Sequence, residues 1–426
     1  VCTGGSCKAA TCTDGVVNGT ETGKDCGGGG CPVCADGLGC AAATDCQSAR
    51  CVNGTCQAAG CNDSVKNGGE SDVDCGGATS CARCPNGKTC SAATDCTSAY
   101  CSTTCTTPPV LQFPFTPTNF VVAGLDALST DDTTLLDCGV STFDSGTLAF
   151  GNWCGQNAPT PMVETQAGGS DVVVVPVRNL TLAAGSTIRL TGNRPVVFAV
   201  FGNATIAGTI DAGASGTAPG PGGNVSCGTS QGGNGSGETK RLGGASGGGG
   251  GGFGTAGGKG GKADTDGSSS TGGIAGIAHG SAAETPLVAG CAGGMAGDCT
   301  TAGGAGGGAV EVSVAGALKV SGTVRSDGGA GATPCGASDE GGGTGGGSGG
   351  AILLEGAMLD LTGSTLHANG GSGGKNGSYA GVFNCGGDNG GNGATSATNA
   401  GANGSDCQGG SSGGGGGYGR VTTLDR

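Results

Sequence analysis

Long tracts made almost wholly of glycine constrain this chain most. Gly247–Gly252, GGGTGGGSGG from Gly341 and Gly413–Gly417 carry almost no side chains, so they cannot build an apolar core. From residue 213 onward, 74 of 214 residues are glycine and four are proline. Collagen is excluded, because it needs glycine at every third position and abundant proline. Two readings remain open for the tracts. One is flexible linker, the usual fate of Gly/Ser sequence. The other is a bundle of extended threefold polyglycine helices, whose amides must pair with neighbouring strands because the helix has no internal hydrogen bonds. Cys227, Cys291, Cys299, Cys335, Cys385 and Cys407 lie inside the tracts and favour an ordered state, since a linker has no use for disulfides.

Strand-like islands interrupt the glycine. AVEVSVAGALKVSGTVRSDGG from Ala309 and AILLEGAMLDLTGSTLHANGG from Ala351 share a template with ATIAGTIDAG from Ala204. Each reads as two short strands with a glycine between, closing on Asp211, Asp327 or Asn369. GRVTTLDR from Gly419 reads as a closing strand. Val310, Val312 and Val314 alternate with polar neighbours, which predicts one face on a narrow core and the other outward. Repeating strand pairs that cannot bury a face alone predict stacked rungs. The expected fold is therefore mainly β: a β-solenoid or β-helix-like domain over 107–426, with glycine-rich insertions at 213–308, 328–350 and 370–419.

Before the Pro/Thr stretch at 106–109 the chain is an internal cysteine repeat. Of 26 cysteines, 18 lie in residues 1–105. The expected units are the tail of a preceding copy at 1–11, repeat one at 12–60 and repeat two at 61–106. TDGVVNGTETGKDCGG from Thr13 matches NDSVKNGGESDVDCGG from Asn62, and AAATDCQSARC from Ala41 matches SAATDCTSAYC from Ser91. Cys2 and Cys7 match Cys51 and Cys56, so the chain opens partway through a copy. Eight cysteines per unit with few large apolar side chains predict a fold stapled by disulfides, at roughly 2–4 kcal/mol each. Eight cysteines allow 105 pairings, and spacing does not choose among them. CPVC at Cys31–Cys34 and CARC at Cys81–Cys84 also have zinc-ligand form, but the surplus of cysteine and the absence of histidine from the block count against it.

The repeated acidic loop is the clearest candidate site. Asp14, Asn18, Glu21 and Asp25 recur as Asp63, Asn67, Glu70 and Asp74. Oxygen ligands spaced along a Gly-containing loop are what calcium takes; turn and cap chemistry is the competing explanation. Catalytic constellations are sparse. His279 lies in a glycine tract and His367 on an expected strand. Asp131, Asp132, Asp137 and Asp144 sit in turn-like sequence, and Trp153, Tyr379 and Tyr418 are few for stacking sugars. Cys138 and Cys154 read as a local disulfide. GxGxxG matches carry no weight at this glycine content, and the P-loop pattern fails in detail. The sequons at Asn179, Asn203, Asn224, Asn234 and Asn376 read as surface-loop markers.

Net charge is −14, which argues against nucleic acid and anionic membranes as partners. No run is long and apolar enough to span a bilayer. High, even cysteine content points to an exported protein.

The cysteine units, together with LDCGVSTFDSGTLAFGNWCG and its continuation VVVVPVRNLTLAAGSTIRLTG, resemble the cysteine-rich repeats and glycine-rich surface proteins exported by myxobacteria and their relatives. The resemblance covers nearly the whole chain. It implies an extracellular bacterial location and carries over no catalytic residue. The expected function is a non-enzymatic structural protein of the cell surface: a filament subunit, matrix component or adhesin that self-associates, with calcium as a stabilising ion. The alternative is a carbohydrate-binding or polysaccharide-degrading β-helix protein with surface glycans as partners. Ice binding by a flat glycine face is a third expectation.

Overall fold

The computed structural model describes residues 2–3, 6–78, 80–98, 100–106, 112–125, 133–225, 227–237, 244–265, 268–297, 300–333, 341–377, 390–396, 399–406 and 411–426. Asp131, Asp132, Tyr379, Cys299, Cys335, Cys385 and Cys407 lie outside the described residues. The chain divides into two compact units, Val1–Val110 and Leu111–Arg426. Among the described residues, helix is confined to single 3₁₀ turns, and the protein is mainly β.

Among its described residues the first unit holds four two-residue strands, β1 (Cys2–Thr3), β2 (Ser6–Cys7), β3 (Cys51–Val52) and β4 (Thr55–Cys56). Its cores are sulfur. Cys26, Cys34, Cys40, Cys46 and Cys56 form one buried cluster; Cys75, Cys84, Cys90, Cys96 and Cys105 form the other. Numbering the cysteines of a unit from one to eight, the first repeat pairs one with three (Cys12–Cys31) and two with four (Cys26–Cys34). It then pairs five with seven (Cys40–Cys51) and six with eight (Cys46–Cys56). The second repeat has the same connectivity: Cys61–Cys81, Cys75–Cys84, Cys90–Cys101 and Cys96–Cys105. Each unit is thus two interlocked pairs in tandem. Both CxxC motifs are consumed in disulfides, which leaves no thiolate there for zinc.

The second unit contains β5 (Thr134–Leu136), β6 (Val140–Asp144), β7 (Ala149–Gly151), β8 (Met162–Glu164), β9 (Val172–Val177), β10 (Leu180–Leu182), β11 (Thr187–Thr191), β12 (Val196–Val200), β13 (Ala204–Ile206) and β14 (Thr209–Asp211). The hairpin β15 (Asp264–Thr265) and β16 (Ser268–Ser269) follows. Then come β17 (Ala309–Val320), β18 (Thr323–Arg325), β19 (Ala351–Asp360), β20 (Thr365–His367) and β21 (Arg420–Asp425). Each expected strand pair around Gly316 and Gly356 is one long strand with a register shift, and the break to the next strand falls beyond it.

Pairing arranges these strands in three columns. Column one runs β8, β9, β12, the first half of β17, the first half of β19, and β21. Column two runs β5, β10, β13 and the second halves of β17 and β19. Column three runs β7, β6, β11, β14, β18 and β20. Columns one and two belong to a single curled nine-stranded sheet, and column three is a six-stranded one. All these pairings are parallel except β8–β9 and β6–β7. Parallel strands covered on both sides read as continuous apolar runs, and β9, VVVVPV, is buried at every position. Pro176 has no N–H to donate, and it falls beyond Val174, where the pairing with β8 ends.

The core runs between the columns. Val173, Val175, Phe198, Ile188, Val310, Val312, Ile352 and Leu354 are fully buried within it. The expected outward face of β17 is also buried. The segment from Phe113 to Leu125 crosses the outer side of column one, and a second apolar cluster forms beneath it from Phe120, Leu125, Val172, Val174, Val197 and Leu287.

Every glycine insertion leaves the end of column three and returns to the start of column one. The base of each is pinched by an equivalent bond: Gly308 N–H to Ala212 C=O at 2.8 Å, Gly350 to Ser326 at 2.8 Å, and Gly419 to Ala368 at 2.7 Å. Sharing one corner places the insertions side by side, and their described glycine segments hydrogen-bond to one another. Gly247 and Gly250 donate to Gly261 and Gly258; Gly248 and Gly251 donate to Gly343 and Gly346; Gly249 and Gly252 donate to Gly233 and Ser230, all at 2.8–3.0 Å. The carbonyls follow the same three-residue period. Gly247 and Gly250 accept from Gly273 and Gly276, Gly248 and Gly251 from Gly414 and Gly417, and Ser246 and Gly249 from Gly297 and Gly294. One extended segment thereby bonds to six others, as a helix with three residues per turn and no internal bonds requires. Segments 343–350 and 413–419 repeat the pattern. Only glycine fits: a Cβ at Gly250 would lie 1.9 Å from Gly415 O, and one at Gly345 would lie 1.9 Å from Gly249 O.

Candidate functional site

The repeated acidic loops hold the residues expected to bind calcium. Asp14 accepts the N–H of Val16 and the side-chain amide of Asn18, and Asp25 accepts the N–H of Gly15 at 2.7 Å. Glu21 accepts the N–H of Asn18 at 3.1 Å. The second copy agrees: Asp63 accepts Val65 N–H and Asn67 Nδ2, Asp74 accepts Asp63 N–H at 2.7 Å, and Glu70 accepts the N–H groups of Asn67 and Asp74. These carboxylates are therefore engaged by their own loop. Among the described residues, Glu21 gathers only with Cys12 and Cys31, and Glu70 only with Cys61 and Cys81, in clusters of three ligand atoms. Those sulfurs are in disulfides. Asn18 Oδ1 and Asn67 Oδ1, equivalent atoms in the two copies, are buried without a hydrogen-bond donor.

Asp45 and Asp95, within the repeated ATDC, organise each unit more strongly. Asp45 accepts the N–H groups of Ala41, Ala42 and Gly28 at 2.8–3.1 Å, and these bonds hold its carboxyl down to about 2. Asp95 does the same with Ser91, Ala92 and Gly77, and adds the Ser71 hydroxyl at 2.5 Å, the largest of its stabilising contacts. The repetition of ATDC was the available signal for this role.

In the second unit the chemistry gathers beneath the crossing segment. Glu311 on β17 and Glu355 on β19 are fully buried. The Ser313 Oγ lies 2.7 Å from Glu311 and 2.5 Å from Glu355. A hydroxyl has one proton to give, so one carboxyl must itself be protonated and donate to Ser313. Glu311 is that acid: burial first, and then the charge of Glu355, pushes its carboxyl up. Asn119 Nδ2 donates to Glu311 at 2.7 Å. Glu355 is ion-paired with Arg426 at 2.9 Å and accepts the Thr118 hydroxyl at 2.8 Å. Nearby Glu284 is buried with no partner for either oxygen, and burial raises it to about 8. The arrangement pins the crossing segment to the sheet, and its carboxylates are closed to solvent.

A row of ionisable side chains follows column three. Arg189, Asp211, Arg325 and His367 occupy successive strands in register. Asp211 meets Arg189 and Arg325 at 2.8 Å each, and His367 meets Asp327 at 2.8 Å. Burial works against the Asp211 charge, but Arg325, the Gly213 N–H and Arg189 outweigh it and lower its pKa. Asp144 caps its hairpin turn through Gly146 and Thr147. His279 is half-buried against Phe253, and that partial burial lowers its pKa. Four of the five sequon asparagines accept backbone N–H groups of neighbouring segments. Asn179 Oδ1 accepts Asn203 N–H and Asn203 Oδ1 accepts Ala317 N–H, each at 2.9 Å, a ladder from one turn of the chain to the next. Asn224 and Asn234 do the same for Gly306 and Met295.

Compared with family models, curated proteins and solved structures, the chain matches none. Ten disulfides among the described residues fit an oxidising, extracytoplasmic compartment. No described helix is long and apolar enough to cross a membrane.

Proposed function

We propose that this chain is a non-enzymatic structural protein of the extracellular bacterial surface, a subunit of a filament or matrix. The three columns are read as the faces of a β-solenoid, and the glycine insertions as a polyglycine II bundle seated on one of its corners. The bacterial surface follows from the resemblance of the cysteine and glycine regions.

The observation that carries the reading is the saturation of the glycine backbone. N–H and C=O groups through 247–251 are spent on six neighbouring segments. Ordering glycine costs more conformational entropy than ordering any other residue. A chain that orders so much of it invests in shape, and a lattice without side chains offers little to a substrate. Hydrogen exchange tests this. Amides of 248–251, 345–347 and 413–417 are expected to be strongly protected, and exchange at the rate of free peptide would overturn the reading.

Calcium belongs to the same proposal. The donorless Asn18 Oδ1 and Asn67 Oδ1 are the oxygens that support it. A calcium-dependent rise in the melting temperature of the first unit is expected, and no change on chelation would remove the ion from the account.

A further inference from the structure

The two ends of the column stack differ by a step, and the steps match. At one end column three extends one strand beyond the others: β7 lies past β6, while column one stops at β8 and column two at β5. At the other end column one extends further: β21 lies past β19, while columns two and three stop at β19 and β20. Among the described residues, the outer edges of β7, β8, β20 and β21 carry no further strand.

We propose that a second copy of this chain docks head to tail at these ends, with β21 pairing to β8 of the next copy while β20 pairs to its β7. The inference rests on the scaffold reading above. Both new pairings are antiparallel, because β7 and β8 each run opposite to the strands of their column. Both joints close at the same offset, since the strand that protrudes at one end fills the recess at the other.

The side chains agree with this register. Val421 lies opposite Ile352 and Val163 opposite Val173, so both point to the core side. Setting Val421 against Val163 of the next copy also sets Arg420 against its Glu164 on the outer side. The charges are opposite, and neither residue forms an ion pair among the described residues. In column three, Leu366 lies opposite Val324 and Phe150 opposite Phe143, so these two also meet on the core side. The main core is sealed along its length and half-open at its ends, at Leu148 and Phe150 on one and at Leu359, Leu361, Leu366 and Val421 on the other. Stacking covers both sets. Column two stays unpaired in this arrangement, and its first strand is already closed: the Gln156 side-chain amide takes both the N–H and the C=O of Leu135. A heterologous contact of this kind generates an open filament when its rotation does not close a ring.

The test uses the full chain with a photoreactive benzoylphenylalanine in place of Thr422, which faces outward on β21. Irradiation is expected to give a ladder of oligomers whose cross-linked peptides map to 159–166 of another copy. Cross-links to 420–425 of another copy would mean tail-to-tail pairing and overturn the proposal, as would an absence of intermolecular products at millimolar protein. Glu164→Lys is expected to weaken association about tenfold by placing like charges across the joint; unchanged association would contradict the register. Hydrogen exchange on the same samples separates the two readings. A protected glycine lattice in a strictly monomeric protein sinks the docking and leaves the scaffold standing, whereas a freely exchanging lattice sinks the scaffold.

Discussion

Glu311 and Glu355 meet the same hydroxyl, that of Ser313, at 2.7 and 2.5 Å, and only one of the two carboxyls can accept its proton. The pair therefore stores a proton between two strands of the sheet, under a segment that Asn119 and Thr118 tie to it.

Rising pH should weaken the second unit. A carboxyl whose pKa is higher folded than unfolded contributes stability that is complete below its unfolded value of 4.5 and is lost as pH rises toward about 8, where Glu284 titrates. Glu284→Gln keeps the shape and removes the charge. It should flatten the loss and stabilise the protein above pH 8 by on the order of 2 kcal/mol. Thermal melts of both proteins from pH 5 to about 9 measure this, and parallel curves would refute it.

Gly250→Ala should be among the most damaging single methyls in the chain. Its Cβ would meet Gly415 O at 1.9 Å, and neither backbone can retreat without breaking other bonds of the lattice. The expected cost is about 3 kcal/mol or more. Gly356→Ala, whose methyl comes no closer than 3.2 Å to its neighbours, should cost far less. Equal melting temperatures for the two variants would contradict the lattice.

Acid should loosen the first unit before it affects the lattice. Asp45 and Asp95 sit near 2 when folded and near 3.8 when unfolded, so their contribution is present above 3.8 and disappears as pH falls through about 2. Asp95→Asn should remove that dependence from the second repeat and make its loops susceptible to limited proteolysis at neutral pH. A cleavage pattern identical to that of the unaltered chain would show that the N–H cradle holds without its charge.

Removing the bridge between Cys227 and Cys291, which are 64 residues apart, should cost about 4 kcal/mol from loop closure alone. Cys227→Ser with Cys291→Ser is expected to lower the melting point while the fold persists. Peptide mapping under non-reducing conditions should recover the interlocked pairing in both repeats, and any other connectivity would displace the sulfur cores described above.

Much of this architecture was legible in the sequence. Alternation at Val310, Val312 and Val314 placed those side chains in the core, and the strand islands fell where the glycine thinned. The buried acids were not legible. Glu311 and Glu355 occupy positions that local periodicity assigns to solvent, because the residue that covers Glu311 is Asn119, 192 positions away. The Gln156 cap on Leu135 was hidden for a similar reason: a side chain mimicking a strand leaves no period. Asp45 and Asp95 were repeated in plain view, yet the more numerous acids of the neighbouring loop drew the metal expectation.

The pinched bases of the insertions carry a last consequence. A protease must draw several consecutive residues into an extended cleft before it can cut. Here the tracts most like an unstructured substrate in composition are gripped from all sides and closed at the root by Gly308, Gly350 and Gly419. Digestion should therefore nibble at side-chain-bearing margins and spare the barest sequence, the reverse of what a glycine count alone would lead one to expect.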